Sequence, residues 1–401
     1  MKCKRSSFRM SLDGLWKFHY AENYECRVPG FQKPEYTCAG WRDIRVPSHI
    51  QLEGYHHPHY ANTEYPWEGH ETLGHEEIPT ISNPVASYVK YFTVPANWMG
   101  QRVYVSLQGA ESAATVWVNG VTIGYSGDSF SPADFDITEA LIPGENKLAI
   151  QTYQYTSGSW CEDQDFFRFS GLYRSVYLYT KPKTHLRDIR IDATPEESYA
   201  HGTLRVRAKA EGELDGTQVR ICCTREGKVV FEATEELGLW NDWNFYVRDI
   251  ALWSAEHPNL YELTFAVVDP SGEVTEWIPE RTGFRKFEIQ DGVMCLNGKR
   301  IIFKGVNRHE FMCRTGRTVT YEEVRQDLMQ MKRSNINAIR TSHYPNDWML
   351  YELCDELGLY LIAETNMETH GTWSYLDLKN PDYDAALPCD NEEWLPMLLD
   401  R

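Results

Sequence analysis

Three apolar runs decide how the C-terminal part of this sequence folds: Arg300-Ile-Ile-Phe-Lys-Gly-Val306, Asn337-Ala-Ile-Arg-Thr341 and Leu359-Tyr-Leu-Ile-Ala363. Each has the length and the β-branched or aromatic content of a strand. Between the first two, Val324, Leu328 and Met331 recur at helical spacing over Tyr321 to Ser334, behind Thr320 as N-cap. Between the second and third, Asp347 to Leu357 reads as a helix stopped by Gly358. Trp394 to Arg401 opens another helix with an unused apolar face. Strands alternating with helices predict a parallel α/β unit. The strand ends of such a unit share one mouth, where the active sites of parallel barrels lie. Here the three strands run into Asn307-Arg-His-Glu310, Ser342-His-Tyr-Pro-Asn346 and Glu364-Thr-Asn-Met-Glu-Thr-His-Gly371. One histidine on one loop is usually a satisfied polar residue. Three consecutive strands delivering His or Glu to one rim point to a site.

Upstream the period changes to that of strands. Val103-Tyr-Val-Ser-Leu-Gln108 alternates, and Ala114-Thr-Val-Trp-Val118 runs into Asn119-Gly120, a strong hairpin signal. Lys147 to Tyr153 and Ser175 to Tyr179 continue the pattern, so residues 1–182 are expected to form a β-sandwich of jelly-roll type. Tyr55 to Pro84, rich in His, Pro, Gly and Glu, interrupts it as a long functional loop or extended arm. After Pro182, strands at His185 to Ile191, Thr203 to Ala208, Gln218 to Cys223, Lys228 to Ala233 and Tyr261 to Val268 predict an immunoglobulin-like sandwich over 183–283. Residues 284–401 then hold less than half of the roughly 250 residues a (β/α)₈ barrel takes. The chain is therefore expected to be truncated inside a TIM barrel, since three parallel strands alone leave an unpaired edge.

Composition narrows the function classes. With 40 Lys+Arg against 58 Asp+Glu the formal charge is −18, which repels phosphate backbones and anionic lipid. No nucleic-acid or membrane partner is expected, and no run approaches the 18 apolar residues of a spanning helix. The 10 cysteines form no CxxC pair, and Cys222 adjoins Cys223, so buried reduced thiols of a cytoplasmic protein are expected. The basic stretch Met1 to Met10 is followed by no apolar run, so no secretory leader is expected, and the sequence holds no Asn-x-Ser/Thr sequon. The 13 Trp, 24 Tyr and 16 Phe suit a sugar binder, because rings stack on pyranose faces, although large β cores also use aromatics.

The motifs Gly305-Val-Asn-Arg-His-Glu310, Arg340-Thr-Ser-His-Tyr-Pro-Asn346 and Glu364-Thr-Asn-Met-Glu-Thr-His-Gly371 closely resemble those of glycoside hydrolase family 2, most of all its large bacterial-type β-galactosidases. Leu12-Asp-Gly-Leu-Trp16, Trp117-Val-Asn-Gly120, Glu162-Asp-Gln-Asp165 and Phe169-Ser-Gly-Leu-Tyr-Arg174 extend the resemblance over nearly the whole chain. It implies retaining hydrolysis of terminal non-reducing β-D-galactose, as in lactose, which needs a nucleophile and an acid/base carboxyl about 5–5.5 Å apart. Both glutamates of the family lie beyond the matching segments, so the isolated chain is expected to be inactive. Glu310, Glu364 and Glu368 match other positions. The resemblance further implies that His309 and His343 bind sugar hydroxyls and stabilise the transition state. It makes Asn83 and Asp165 substrate contacts, Glu368 and His370 Mg²⁺ ligands, and Asp165 a Na⁺ ligand. Phe166-Phe167 depart from some relatives, so the wall beside Asp165 differs. A homo-oligomer is implied for the full-length protein. The alternatives are a β-glucuronidase or other sibling glycosidase, or an inactive carbohydrate-binding or complementing fragment. The Glu368-Thr-His370 motif favours the galactosidase.

Overall fold

The computed structural model describes residues 8–73, 77–162, 165–371 and 392–401. Two antiparallel sheets open the chain. One orders Arg9–Ser11, Val176–Lys181, Arg102–Leu107 and Ala133–Asp136. The other orders Arg42–Val46, Gly14–Ala21, Val85–Thr93, Glu145–Tyr153, Ala113–Val118 and Val121–Ser126. Every second residue of Arg102–Leu107 and Val176–Lys181 turns inward, and Val103, Val105, Leu107, Val176 and Leu178 meet Trp16, Val116 and Ile150 in one core. This is the expected jelly-roll sandwich.

The second sandwich packs a three-stranded sheet (His185–Pro195, Gly202–Glu211, Trp240–Val247) against a four-stranded one (Lys228–Glu236, Gln218–Arg225, Tyr261–Val268, Val274–Thr282). Leu204, Val206, Val219, Ile221 and Phe265 fill it. All five strands expected from the sequence are present. Trp240–Val247 and Val274–Thr282 complete the set; the exposed aromatics Trp240, Tyr246 and Trp277 on their outward faces obscure the apolar-in, polar-out alternation.

The third unit has three parallel strands, Gly305–Arg308, Ala338–Thr341 and Tyr360–Ile362, in chain order. Two helices, Tyr321–Arg333 and Trp348–Leu357, cover one side through Val324, Leu328, Leu350 and Leu353. Thr320 and Glu323 form a reciprocal capping box at the first, Asp347 caps the second, and Gly358 ends it at φ 75°. The first strand starts later than its apolar run suggested. Ile301 donates back to Met294, so the start of the run belongs to the antiparallel Phe287–Arg300 region, and parallel pairing begins at Gly305. The final helical turns, Glu392–Trp394 and Leu395–Asp400, correct another expectation. Their apolar face is used: Trp394, Met397 and Leu398 pack on Tyr65, Trp67, Tyr155 and Trp160 of the jelly roll. The same cluster anchors the long Tyr55–Pro84 segment, which also contributes the short strand His59–Ala61, paired with Phe166–Arg168.

Among the described residues the cysteines are all thiols; Cys26 and Cys313 are exposed rather than buried, and Cys3 and Cys389 lie outside the described residues. No described helix is long and apolar enough to cross a membrane.

Candidate functional site

Strand alternation sorts the residues at the first barrel strand. Arg308 and Glu310 face the surrounding layers, and Asn307 and His309 face the mouth. Arg308 is buried and reaches Asn346 at 3.0 Å and Asp327 at 3.1 Å. Glu310 is fully buried and pairs with Arg174 of the jelly roll at 2.8 Å, while its other oxygen accepts from the Asp347 backbone at 2.7 Å. The expectation that Glu310 is delivered to the rim is therefore corrected: it is an inter-domain ion pair.

The second and third strands bring the expected histidine and glutamates together. His343 Nδ1 lies 3.0 Å from Glu364 and 4.0 Å from Glu368, and Glu368 lies 3.7 Å from His370 Nδ1. Arg340 grips the other oxygen of Glu364 and reaches Asn307 at 3.4 Å. His309 stands across the mouth with its ring 5.9 Å from that of His343 and nearly perpendicular to it. Its Nδ1 faces the Tyr344 hydroxyl at 3.5 Å, the long end of the hydrogen-bond range. Desolvation by the surrounding groups, then the neighbouring His343, lowers the His309 pKa and favours the neutral ring.

These contacts engage the same nitrogen of each ring. The Glu364 carboxylate accepts a proton from Nδ1 of His343, and Nδ1 of His309 shares a hydrogen with the Tyr344 hydroxyl, where either group can donate. In both rings Nε2 is the nitrogen that remains to meet a sugar hydroxyl.

Glu368 Oε2 is buried and has no hydrogen-bond partner among the described residues, an expensive state for a carboxylate oxygen. With His370 beside it, this fits a hard divalent cation that keeps most of its ligands as water. Among the described residues no three His, Cys, Asp or Glu side chains converge as a metal site, so Glu368 and His370 would be two ligands of a larger set. Asp165 receives the Tyr60 hydroxyl, with Phe167 packed edge-on to Tyr60 at 5.4 Å. Asp163 and Gln164 of the same motif lie outside the described residues. Asn83 is buried away from solvent. Its amide donates to the carbonyls of Pro79 at 3.2 Å and Tyr155 at 3.0 Å, and its oxygen accepts from Tyr155 N at 2.9 Å. A sugar contact from Asn83 would use the second lone pair of that oxygen.

Sequence reading assigned no role to the groups that hold this mouth against the jelly roll. Arg317 is buried among Phe130, Phe166, Phe169, Tyr173 and Tyr344, with its guanidinium 4.8–5.8 Å from their ring centroids, and pairs with Glu111. Its backbone N–H donates to His49 Nε2 at 3.0 Å. Asn366 donates to Asp128 and Glu162, both at 2.7 Å. Burial pushes Glu162 up to about 7 against the pull of Arg401. Asn366 stands inside a motif already singled out, so position alone marked it. Nothing in the sequence around Arg317 showed that five rings from two domains would close on it.

Comparison with known proteins accounts for all three units. Residues 9–182 match glycosyl hydrolases family 2, sugar binding domain; residues 184–285 match glycosyl hydrolases family 2; and residues 287–401 match glycosyl hydrolases family 2, TIM barrel domain. A β-galactosidase of Halalkalibacterium halodurans is 48% identical over 400 residues, covering 98% of this chain and 39% of that protein. One from Streptococcus thermophilus is 44% identical over 395 residues, covering 98% of this chain and 38% of that protein. A β-galactosidase large subunit of Latilactobacillus sakei is 39% identical, with 66% of its length covered. The chain thus spans about two fifths of the first two relatives. Among solved structures, the β-glucuronidase of Bifidobacterium dentium superposes with a TM-score of 0.74 at 23% identity, covering 91% of this chain and 62% of that one. A β-glycosidase from Bacteroides vulgatus gives 0.74 at 24%, covering 89% and 44%. At that identity the likeness concerns the fold alone.

Proposed function

The chain belongs to glycosyl hydrolase family 2, and from that premise we propose that it carries the sugar-orienting part of a β-galactosidase, the retaining hydrolysis of terminal β-D-galactosides such as lactose being the activity of the protein it serves. The observation that carries this reading is the pair of crossed imidazoles, His309 and His343, each with one nitrogen committed to a protein partner and the other left for substrate. Hydrogen bonds from such fixed rings tighten as the sugar acquires oxocarbenium character, which is the differential binding that lowers the barrier. Asp165 is an oxygen acceptor for a further sugar hydroxyl or for Na⁺, and Asn83 is assigned as a substrate contact through its remaining lone pair. Glu368 and His370 are assigned as two ligands of Mg²⁺, which when bound supplies positive charge that holds the carboxylates of the mouth in place. A uronate would need an unpaired cation at the mouth. Among the described residues the arginine at the mouth, Arg340, is taken by Glu364, which favours a neutral galactoside over a glucuronide.

We assign no acid/base or nucleophile to the glutamates present. Glu310 is locked to Arg174, and Glu364 is spent on Arg340 and His343. The 401-residue chain is expected to bind a galactoside and not to cleave it. Calorimetric titration with a non-hydrolysable thio-β-galactoside should give heat of binding that His343→Ala weakens about tenfold or more, as expected on losing one hydrogen bond to a partly charged group. A chromogenic β-galactoside should stay intact with and without Mg²⁺. Turnover by the isolated chain would overturn the assignment of Glu310 and Glu364, and no binding would overturn the galactoside reading itself. A cytoplasmic location and a multi-subunit full-length assembly belong to the same proposal, the latter supported by the relative named as a large subunit.

A further inference from the structure

One turn of the jelly roll reaches all three barrel loops. Asp128 folds it: Oδ1 accepts from Phe130 N at 2.9 Å and also from Asn366 Nδ2 at 2.7 Å, on the loop after the third strand. Ser129 fixes Glu162 through its N–H at 3.0 Å and its hydroxyl at 2.5 Å, and Glu162 accepts the second bond from Asn366. The Phe130 ring stacks on Tyr344 at 4.1 Å and 19°, on the loop after the second strand. The Phe130 carbonyl accepts from Arg174 at 2.7 Å, and Arg174 holds Glu310 after the first strand. All these side chains are buried.

We propose that Asp128 and Phe130 are positioning residues for the sugar site, setting the mutual register of the loops that carry His309, His343, Glu368 and His370. The inference rests on the galactoside reading above. Phe130 acts through Tyr344, which adjoins His343 in sequence and whose hydroxyl faces His309. Asp128 acts through Asn366, which stands between Glu364 and Glu368 on one short loop. Neither residue touches substrate; each acts through the residue it holds.

The test is the imidazole ¹H–¹⁵N spectrum of the ligand-free 401-residue chain, with resonances assigned from single His→Ala variants. Phe130→Leu keeps apolar volume and loses the ring stack; it should displace the His309 and His343 resonances and leave His185 and His201 of the second sandwich in place. Asp128→Ala should displace His343 and His370. Asp128→Asn, which keeps an acceptor oxygen, should restore the wild-type positions. Asn366→Ala cuts the same link from the barrel side and serves if Asp128→Ala does not fold. A purely structural role would lower the melting temperature while the mouth resonances stayed put, or would move histidines of every domain. Mouth resonances that superpose on wild type in Phe130→Leu, together with either Asp128→Ala or Asn366→Ala, overturn the proposal. The spectra need neither sugar nor turnover. Their failure therefore leaves galactoside binding standing, and a failure to bind galactoside leaves the spectra interpretable.

Discussion

Glu162 shows what a single buried carboxyl contributes. Its pKa is raised from 4.5 to about 7, chiefly by burial, with Asp128 adding to the rise and Arg401 and Ser129 opposing it. The folded chain then holds this proton more tightly than the unfolded chain between those two values. Its contribution to stability is full below pH 4.5 and falls as pH climbs toward 7, on the order of a few kcal/mol in all. His49, buried and lowered by desolvation and by Arg317, works in the opposite direction, losing stability as pH falls through the ordinary histidine range. The prediction is therefore a difference: the denaturant stability of wild type minus that of Glu162→Gln should decline from pH 4.5 to 7 and level off above. A flat difference would mean that Glu162 is ionised throughout. His309, His343, Glu364, Glu368 and His370 were legible because a parallel unit sends consecutive strand ends to one rim. Glu310 was misread because the same motif that carries His309 also carries its outward-facing neighbour, and only the pleat separates them.

At the scale of elements, local signals and structure agree wherever a cap or a period was written into the chain. Thr320, Asp347 and Gly358 bound the two barrel helices where the sequence placed them. Strand edges were less legible, as at Ile301–Lys304, because an apolar run does not say which of two sheets it joins. Gly358 has a second constraint beyond its left-handed φ. A Cβ there would lie 2.3 Å from the carbonyl oxygen of Ala255 in the second sandwich, the same carbonyl that Lys332 Nζ reaches at 2.7 Å. Gly358→Ala should cost about 2 kcal/mol or more, from the left-handed conformation plus the clash. Gly144→Ala, at φ 91° with open space around it, should cost only about 1–2 kcal/mol from conformation alone. Equal losses in thermal or urea unfolding would remove the clash from the account.

At the scale of the molecule, the jelly roll and the barrel portion are joined by buried charge as well as by apolar contact. Arg174–Glu310 and Arg317–Glu111 both cross between the jelly roll and the barrel portion, with all four side chains almost fully buried. Removing one member strands the other: Arg317→Ala should cost about 3–5 kcal/mol. Arg317→Met combined with Glu111→Gln, which leaves no buried charge, should recover a large share of that loss. Calorimetry should show one cooperative transition for the wild-type chain and a separable barrel transition in Arg317→Ala. The order of the units was readable because each has its own period. Their docking was not, since a cage such as that around Arg317 is assembled from residues far apart in sequence whose types are unremarkable one by one. The turn at residues 127–130 also constrains domain exchange. A jelly roll transplanted from another protein of this architecture would bring its own turn to foreign partners at positions 344 and 366, so a working chimera has to import those barrel residues with it. In this chain the sandwich is not a detachable module, and its boundary for the purposes of shuffling runs through the mouth of the barrel.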